Sequence, residues 1–409
     1  MPDISPRARA VPPSPIRKLV PMAEQAKARG VKVHHLNIGQ PDLPTPPELL
    51  AAVRSFSGDQ VAYSPSQGEK DCLDFFLEYY RRLDLALERP QINVTTGGSE
   101  AILFAFTAIG SPGDEVIVPE PFYTNYYSLA QQQSLAVVPV PTHPEDGYHL
   151  PAAREFEKLI TPRTKAIMLC NPNNPTGTVY TDAEVEMVAG LVKKHDLFWI
   201  SDEVYREFVY GDQTARSALS FAELADRVIV VDSISKRFSA CGARVGCIVS
   251  RRKDLMQACL YMAQARLSSP TMGQVLAAAG HLLPASFFDA TRDEYRRRRD
   301  LVHESLNSIP GVFSRCPEGA FYTMARLPVP DADEFASWLL TDFQKDNKTV
   351  MVAPGSGFYA TPGCGLDEVR IAYVLKLDDL KDAMETLRAA LEAFPRRLPK
   401  AAGAGGAAS

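Results

Sequence analysis

The chain has 409 residues, of which 45% are hydrophobic and 23% charged, and its formal net charge is -5. This length and composition predict a globular protein with one large and one smaller domain, and the negative charge favours neither nucleic acid nor an anionic membrane as a partner. The seven cysteines, an odd number without any Cys-x-x-Cys pair, predict a reduced cytoplasmic protein with no disulfide framework and no metal site.

Residues 1–40 are predicted to form a proline-rich arm with one short helix between Pro15 and Lys27. No apolar stretch approaches the length of a membrane span, and prolines interrupt the N-terminus where a secretion signal would have its apolar core. At the other end, residues 401–409 contain only alanine, glycine and serine, and we expect a disordered tail over 398–409.

Short apolar runs alternate with helical patterns between these ends. The continuous runs are Glu115–Val118, Ala166–Leu169, Phe198–Ile200 and Val228–Val231. Strands that are apolar on both faces belong to a mostly parallel sheet covered by helices. We therefore predict an α/β fold, with a large domain over 41–290 and a smaller α+β domain over 291–397.

Two helices are marked clearly enough to be predicted individually. Thr181 and Glu184 form a capping box, and the apolar stripe that follows consists of Val185, Val188, Leu191 and Val192. A longer helical stretch runs from about Met272 to Leu306. It includes the basic run Arg296–Arg299, whose acidic neighbours indicate a solvated helix face and not a nucleic-acid site.

Polar clusters follow three of the predicted strands: Asn171–Gly177, Asp202–Tyr205 and Ser233–Lys236. Taken singly, these are equally well a turn, a helix cap and a solvated lysine. Ligands of open α/β sheets bind at the carboxyl ends of the strands, so the shared placement favours one common site. A fourth element, Gly97-Gly98 before a helix predicted from Ala101 to Ile109, is either a tight turn or an anion site at a helix N-terminus.

The chemistry of these clusters suggests pyridoxal phosphate. The amine of Lys236 can form a Schiff base with an aldehyde cofactor, and Ser233, Ser235 and Arg244 can hold a phosphate. Asp202 could pair with a protonated pyridine nitrogen, which makes the ring an acceptor of electrons from a carbanion.

In these motifs the chain resembles class I aminotransferases of the pyridoxal-phosphate fold type I, the aspartate aminotransferase-like family. The resemblance covers about Pro12 to Phe394 and rests on Asn37–Asp42, Tyr63–Gly68, Thr96–Ala101, Pro119–Tyr127, Asn171–Gly177, Asp202–Tyr205, Ser233–Lys236, Arg244 and Val369–Ala372. It implies a homodimeric enzyme with composite active sites. By a ping-pong mechanism, this enzyme would move an amino group from an L-amino acid, with aspartate among the candidates, to a 2-oxo acid such as 2-oxoglutarate.

The resemblance also implies a role for each matching residue. Lys236 would form the internal aldimine and then move the substrate α-proton, while Asp202 holds the pyridinium. The other cofactor-binding residues would be Gly98, Ser99, Tyr123, Asn174, Tyr205, Ser233, Ser235, Arg244 and, from the neighbouring subunit, Tyr63. The substrate α-carboxylate would be bound by Arg370 beside Gly39 and Asn174.

The chain departs from the family at Ser99, where aspartate-specific bacterial relatives often carry lysine. Arg266 could supply the missing positive charge, although a surface arginine on a helix is the simpler interpretation. Two alternatives to amino transfer stay open: another reaction at the α-carbon, such as β-elimination or decarboxylation, and a non-catalytic cofactor-binding regulatory module. The short N-terminal arm leaves little room for the DNA-binding domain that such modules usually carry.

Overall fold

The computed structural model describes residues 2–398, so most of the predicted tail lies outside the described residues. The chain divides into two compact units. The first contains the residues up to Pro12, Gln40–Glu294 and Glu318–Ala320, and the second contains Pro13–Gly39, Tyr295–Pro317 and the residues from Phe321 onward. The domain ranges inferred from the sequence stay a prediction.

The described residues form twelve β-strands and fourteen α-helices. In chain order the strands are β1 (Lys32–His35), β2 (Ile92–Thr95), β3 (Glu115–Glu120), β4 (Ala136–Pro141), β5 (Thr164–Cys170), β6 (Phe198–Asp202), β7 (Val228–Ser233), β8 (Gly246–Val249), β9 (Tyr322–Arg326), β10 (Lys348–Met351), β11 (Ala353–Pro354) and β12 (Glu368–Ala372). The helices are α1 (Pro6–Ala10), α2 (Val20–Ala28), α3 (Pro47–Arg54), α4 (Lys70–Arg81), α5 (Gly98–Ile109), α6 (Asn125–Gln132), α7 (Ala153–Glu157), α8 (Asp182–Lys194), α9 (Ile234–Arg237), α10 (Lys253–Arg266), α11 (Thr271–Ala278), α12 (Ala285–Asn307), α13 (Ala332–Thr341) and α14 (Leu377–Ala393).

The first unit is built on a seven-stranded sheet in the order β2-β8-β7-β6-β5-β3-β4. Strands β4, β3, β5, β6 and β7 are parallel, and only β8 runs antiparallel to its two neighbours. The central strands are buried over almost all of their residues, which explains why the middle of each strand is continuously apolar. The predicted α/β class with a mostly parallel sheet is confirmed.

The second unit contains two small sheets. Strands β1 and β10 pair in parallel, and β11, β12 and β9 form an antiparallel sheet in that order. Helices α13 and α14 pack on β10. Across residues 2–398, no helix combines the length and the apolar character that a membrane crossing requires.

The capping box at α8 is present as predicted. The Thr181 hydroxyl accepts the Glu184 N–H at 3.3 Å, and the Glu184 carboxylate accepts the Thr181 N–H at 2.7 Å. The predicted apolar stripe of this helix is buried: Val185, Val188, Leu191 and Val192. Local sequence signals therefore determine where α8 begins and which face it buries.

Three local predictions were wrong. Helix α5 begins at Gly98 and not at Ala101, so the glycine and Ser99 belong to its first turn. The long stretch predicted from Met272 to Leu306 is two α-helices, α11 and α12, because Pro284 precedes the second and cannot donate to a continuing helix. Within Arg296–Arg299, Arg298 is only 1% exposed and donates to the Val374 carbonyl, so this run is not wholly solvated.

Candidate active site

The polar clusters predicted from three strands lie side by side in the first unit. The register of β5, β6 and β7 places Cys170 opposite Asp202 and Asp202 opposite Val231. Backbone bonds continue this alignment past the strand ends, from the Asn171 N–H to the Asp202 carbonyl and from the Glu203 N–H to the Val231 carbonyl, both at 3.0 Å. Because the strands are parallel and in register, their carboxyl ends bring these clusters to one edge of the sheet.

Asp202 is the most strongly constrained group at this edge. Its carboxylate is buried, accepts a 2.5 Å hydrogen bond from the Tyr126 hydroxyl and a 3.3 Å bond from the Val204 N–H, and lies near Lys236. Burial raises the pKa of Asp202 to about 6 although both hydrogen bonds act to lower it. Burial, together with the adjacent carboxylate, raises the pKa of Tyr126 well above its ordinary value, so this hydroxyl remains a donor at neutral pH.

Tyr205 and Asn174 contact each other at the same edge of the sheet. Both are buried, and the Asn174 side-chain amide donates to the Tyr205 hydroxyl at 3.4 Å. The Tyr123 hydroxyl accepts a hydrogen bond from Asn125 at 2.8 Å, and the Tyr123 ring contacts Tyr126 edge to face at 5.4 Å between centroids. The edge therefore carries a phenol and an amide in contact with each other, and a further aromatic ring that contacts the Tyr126 bound to Asp202.

Lys236 lies in the single-turn helix α9, directly after β7. Ser233 caps this helix by accepting the Ser235 N–H at 3.1 Å. Its hydroxyl oxygen also lies 2.8 Å from the Ser235 hydroxyl oxygen and 2.9 Å from the Val245 carbonyl oxygen, to which it can donate. The half-buried Lys236 amine lies 3.7 Å from the Cys241 sulfur. Two hydroxyls and one amine therefore come from a single turn.

The N-terminus of α5 approaches the same turn. Gly97 precedes the helix with a left-handed φ of 75°, and a Cβ there would lie 2.5 Å from Arg244 Nη2. Arg244 also donates to the Thr96 carbonyl at 3.3 Å, while a Cβ on Gly98 would lie 3.8 Å from the Cβ of Ser233. Free N–H groups, two hydroxyls and a guanidinium converge here, which is a suitable arrangement for an anion.

These residues fit pyridoxal phosphate. Gly98, Ser99, Ser233, Ser235 and Arg244 would hold the phosphate, and a Cβ at position 97 would overlap the Arg244 guanidinium. The buried Asp202 offers a proton-sharing partner for a ring nitrogen, and the Tyr205–Asn174 pair offers donors for a phenolic oxygen. Lys236 supplies the amine.

Arg370 and Gly39 meet in the second unit. Arg370 is 1% exposed on β12, donates to the Asn37 carbonyl at 2.6 Å, and lies 4.5 Å from the Tyr322 ring and 4.9 Å from the Phe358 ring. A Cβ on Gly39 would lie 1.7 Å from the Tyr322 hydroxyl oxygen, so only glycine allows this approach. Arg370 and Gly39 are thus brought together around one tyrosine.

Tyr63 and Arg266 also belong to the first unit. The Tyr63 side chain is 80% exposed. Arg266 is half-buried and makes a 3.6 Å ion pair with Glu100, a 2.5 Å bond to Ser269, and 3.4 Å bonds to the Ser66 and Val94 carbonyls. These contacts give Arg266 a structural role and engage both of its terminal nitrogens, and its role in reading a substrate stays a prediction.

Sequence reasoning missed two contributors to this site. Tyr126 lies three residues after Tyr123, a spacing that places both on one side of the entry to α6, but nothing else in the sequence singles it out. The sequence allows Gly97-Gly98 to be a tight turn or an anion site, but it does not show that the missing side chain of Gly97 makes room for Arg244. Only contacts between distant parts of the chain identify either role.

Comparison with known proteins identifies the family these features belong to. Residues 31–387 match the family model described as aminotransferase class I and II. The aspartate/prephenate aminotransferase of Thermus thermophilus is 32% identical over 98% of this chain and 100% of the relative. The aspartate aminotransferase of Bacillus subtilis is 30% identical over 94% of this chain and 98% of its own length.

A solved structure supports the same assignment. The alanine aminotransferase from Pyrococcus furiosus superposes with a TM-score of 0.86 at 28% identity, covering 95% of this chain and 99% of the other. The similarity therefore extends over nearly the whole chain and includes relatives named for different amino acids.

The buried carboxylate generates a prediction for the cofactor-free protein. The difference between the ordinary pKa of 3.8 and about 6 for Asp202 corresponds to roughly 3 kcal/mol at neutral pH. Because its pKa is raised on folding, the contribution of Asp202 to stability is fully present below pH 3.8 and is lost as the pH rises through 6. Asp202→Asn should therefore raise the urea unfolding midpoint of the cofactor-free protein at pH 7.5.

The gain should shrink when the same comparison is made at pH 4.5, where the buried carboxyl is already protonated. Asp254→Asn, the same change at an exposed carboxylate, serves as the control and should give no gain at pH 7.5. A gain of equal size at both pH values would show that the charge of Asp202 is not what costs stability.

Proposed function

The chain belongs to the family of class I and II aminotransferases, and we propose that Lys236, Asp202 and Arg370 carry its reaction. The enzyme is a pyridoxal-phosphate-dependent aminotransferase, and the names of its relatives favour amino transfer over β-elimination, decarboxylation or a regulatory module. The observation that carries the assignment of residues is the buried Asp202, which shares one sheet edge with Lys236 and the groups that would hold the phosphate.

Each residue's contribution follows from its surroundings. The cofactor, when bound, supplies an aldehyde carbon to which the amino group is transferred and a ring that accepts the electron pair left at the substrate α-carbon. Lys236 attaches the cofactor through Nζ and afterwards moves the α-proton at the same atom. Asp202, held in place by the Tyr126 hydroxyl, keeps the ring nitrogen protonated, and Tyr205 and Asn174 donate to the phenolic oxygen.

We assign the substrate α-carboxylate to Arg370. Its guanidinium is buried and oriented by one carbonyl and two aromatic rings, so a carboxylate bound there would form a desolvated, bidentate charge pair. The Gly39 N–H supplies a second donor for the same group. Since every amino acid carries an α-carboxylate, Arg370 serves all donors and does not choose among them.

Aspartate is our proposed amino donor, with 2-oxoglutarate as acceptor in a ping-pong cycle. Support comes from the relatives in Bacillus subtilis and Thermus thermophilus, which are named for aspartate. Ser99 argues in the other direction, because it provides no positive charge for a second carboxylate. Aromatic and neutral donors are accordingly the alternatives that a substrate screen must distinguish.

A homodimer is proposed on the exposed apolar residues around Tyr63. Val61 is 65%, Tyr63 80% and Leu267 51% exposed. Hydrogen bonds from Ser64 to Ser269, from Ser66 to Leu267 and from Thr271 to Ala62 hold their two segments together: residues 61–66 and 267–271. A second copy covering this surface would carry Tyr63 into the neighbouring site.

A cytoplasmic location is proposed from the seven cysteines alone.

Covalent attachment tests the central proposal. Borohydride, which reduces a carbon–nitrogen double bond, should fix the cofactor to Lys236, and peptide mapping should find it there. Lys236→Ala should retain the cofactor through the phosphate contacts but lose activity by several orders of magnitude. Lys253→Ala, at an exposed lysine of α10, is the control. Label on another lysine would overturn the assignment.

Complementation between chains tests the dimer. Tyr63→Ala and Lys236→Ala should be impaired for different reasons, so a mixed dimer should contain one intact site and recover about half of the wild-type activity. Mixing Lys236→Ala with Lys236→Met chains is the matched control and should recover none. A fully active monomer at assay concentration would exclude the composite site.

A half-reaction screen tests substrate choice. Arg370→Ala should weaken aspartate, alanine and phenylalanine alike, by about 30-fold to several thousand-fold in specificity constant, since one partner of a buried charge pair is lost. If Arg266 reads the second carboxylate, Arg266→Ala should impair aspartate and spare the other two. Equal losses for all three would leave Arg266 with the structural role that its contacts indicate.

A further inference from the structure

The helix that carries Lys236 is too short to keep a fixed orientation by itself. Helix α9 is a single turn, Ile234–Arg237, and a turn of this length has little stability by itself. Backbone bonds from Phe238 to Ile234 and from Ala240 to Ser235, both 3.1 Å, continue the turn. The orientation of the Lys236 amine therefore depends on side chains that fasten the turn to the rest of the first unit.

Arg237 provides such a fastening at the last position of α9. Its side chain is 1% exposed, and Nη2 donates to Asp232 Oδ2 at 2.7 Å. The guanidinium carbon lies 3.7 Å from the centroid of the Tyr79 ring on α4, and Nε lies 3.7 Å from a Glu207 carboxylate oxygen. The guanidinium therefore contacts side chains from three separate segments of the chain.

Asp232 lies so close to Lys236 in the chain that its bond to Arg237 restrains the turn that carries Lys236. Asp232 is fully buried in β7 and also accepts the Ser233 N–H at 2.7 Å. Its bond to Arg237 closes a loop of six residues, and Lys236 lies inside that loop. A rotation of α9 would have to break this buried ion pair between Arg237 and Asp232, which is strongly unfavourable.

Stability alone does not explain a buried pair of this kind. Desolvation of two charges largely cancels their attraction, and replacing both partners by uncharged groups is often neutral or stabilising. The pair does, however, restrict geometry, because a planar guanidinium between a carboxylate and a ring has few orientations available. The local consequence is a fixed turn beneath the reactive amine.

We propose that Arg237 is a positioning residue that fixes the direction of the Lys236 amine by tying α9 to Asp232, Tyr79 and Glu207. This inference rests on the proposed role of Lys236. The titratable and charged groups that face the pair from neighbouring elements are Tyr79, Tyr80, Arg206, Glu207 and Cys247. Asp232 also acts on Asp202, where its charge adds to the effect of burial in raising the pKa.

The first measurement uses the cofactor-free protein. Arg237→Met keeps the length of the side chain but removes its charge and its fork, so native-state hydrogen exchange at the Phe238 and Ala240 amides should accelerate by about tenfold or more. Arg237→Lys keeps a charge and should lie between the variant and wild type. Arg298→Met removes an equally buried arginine from α12 and should leave exchange at these two amides unchanged.

The second measurement uses the loaded protein. The pH midpoint at which the bound cofactor's visible absorbance changes should move in Arg237→Met, because it reports the surroundings of the Lys236 nitrogen. kcat should fall more than KM rises, since the amine is misdirected while Arg370 is untouched. The Arg298→Met midpoint should match wild type.

The double variant Asp232→Asn/Arg237→Met separates positioning from charge compensation. Its unfolding midpoint should recover toward wild type while fast exchange and the moved absorbance midpoint persist. Recovery of all three, or unchanged exchange and absorbance in Arg237→Met, would overturn the proposal. Should Arg237→Met fail to fold, Arg237→Lys and the double variant decide the same question, and borohydride mapping of wild type tests the role of Lys236 independently.

Discussion

The burial of one carboxylate, Asp202, is the constraint around which the first unit's site is organised. A negative charge placed at the end of a central strand has lost its water and needs donors and positive charge close by. The parallel register of β5, β6 and β7 provides these, because it ends neighbouring strands at the same height and so delivers Asn171–Gly177 and Ser233–Lys236 to the same edge. Tyr126 adds the shortest hydrogen bond from outside the sheet.

The same edge of the sheet carries two sets of groups with different chemistry. At one end of the site, the amide N–H groups at the start of α5, two serine hydroxyls and Arg244 can donate to an anion. At the other end, the Asp202 carboxylate, whose pKa is raised, can accept a hydrogen bond from a protonated nitrogen. A ligand with a phosphate at one end and a basic nitrogen at the other is matched by both. This division, and not any single motif, accounts for the specificity of the site, since each motif by itself has an ordinary structural interpretation.

Much of this arrangement could be predicted from the sequence, because it depends on signals that are local in the chain. Strand runs apolar on both faces, the capping box at Thr181 and the polar residues directly after each strand all follow from short-range patterns. Tyr126, Arg237 and the buried Arg298 depend instead on partners 76, 5 and 76 residues away, and even the short separation of Arg237 from Asp232 is meaningful only once both are buried. Composition cannot distinguish a buried arginine from a solvated one, since the difference is made by the neighbours that tertiary packing supplies.

The contact between Gly39 and Tyr322 limits how this enzyme can change by mutation. Any side chain at position 39 would overlap the tyrosine hydroxyl, and the tyrosine ring in turn packs against Arg370. The two positions are therefore epistatic: a larger residue at 39 becomes acceptable only in a background where position 322 has already lost its ring. That first step would remove a packing partner of Arg370, so the pathway passes through an impaired intermediate. Laboratory evolution by single substitutions should leave this corner of the second unit unchanged, and libraries that vary both positions together are the route to sample it.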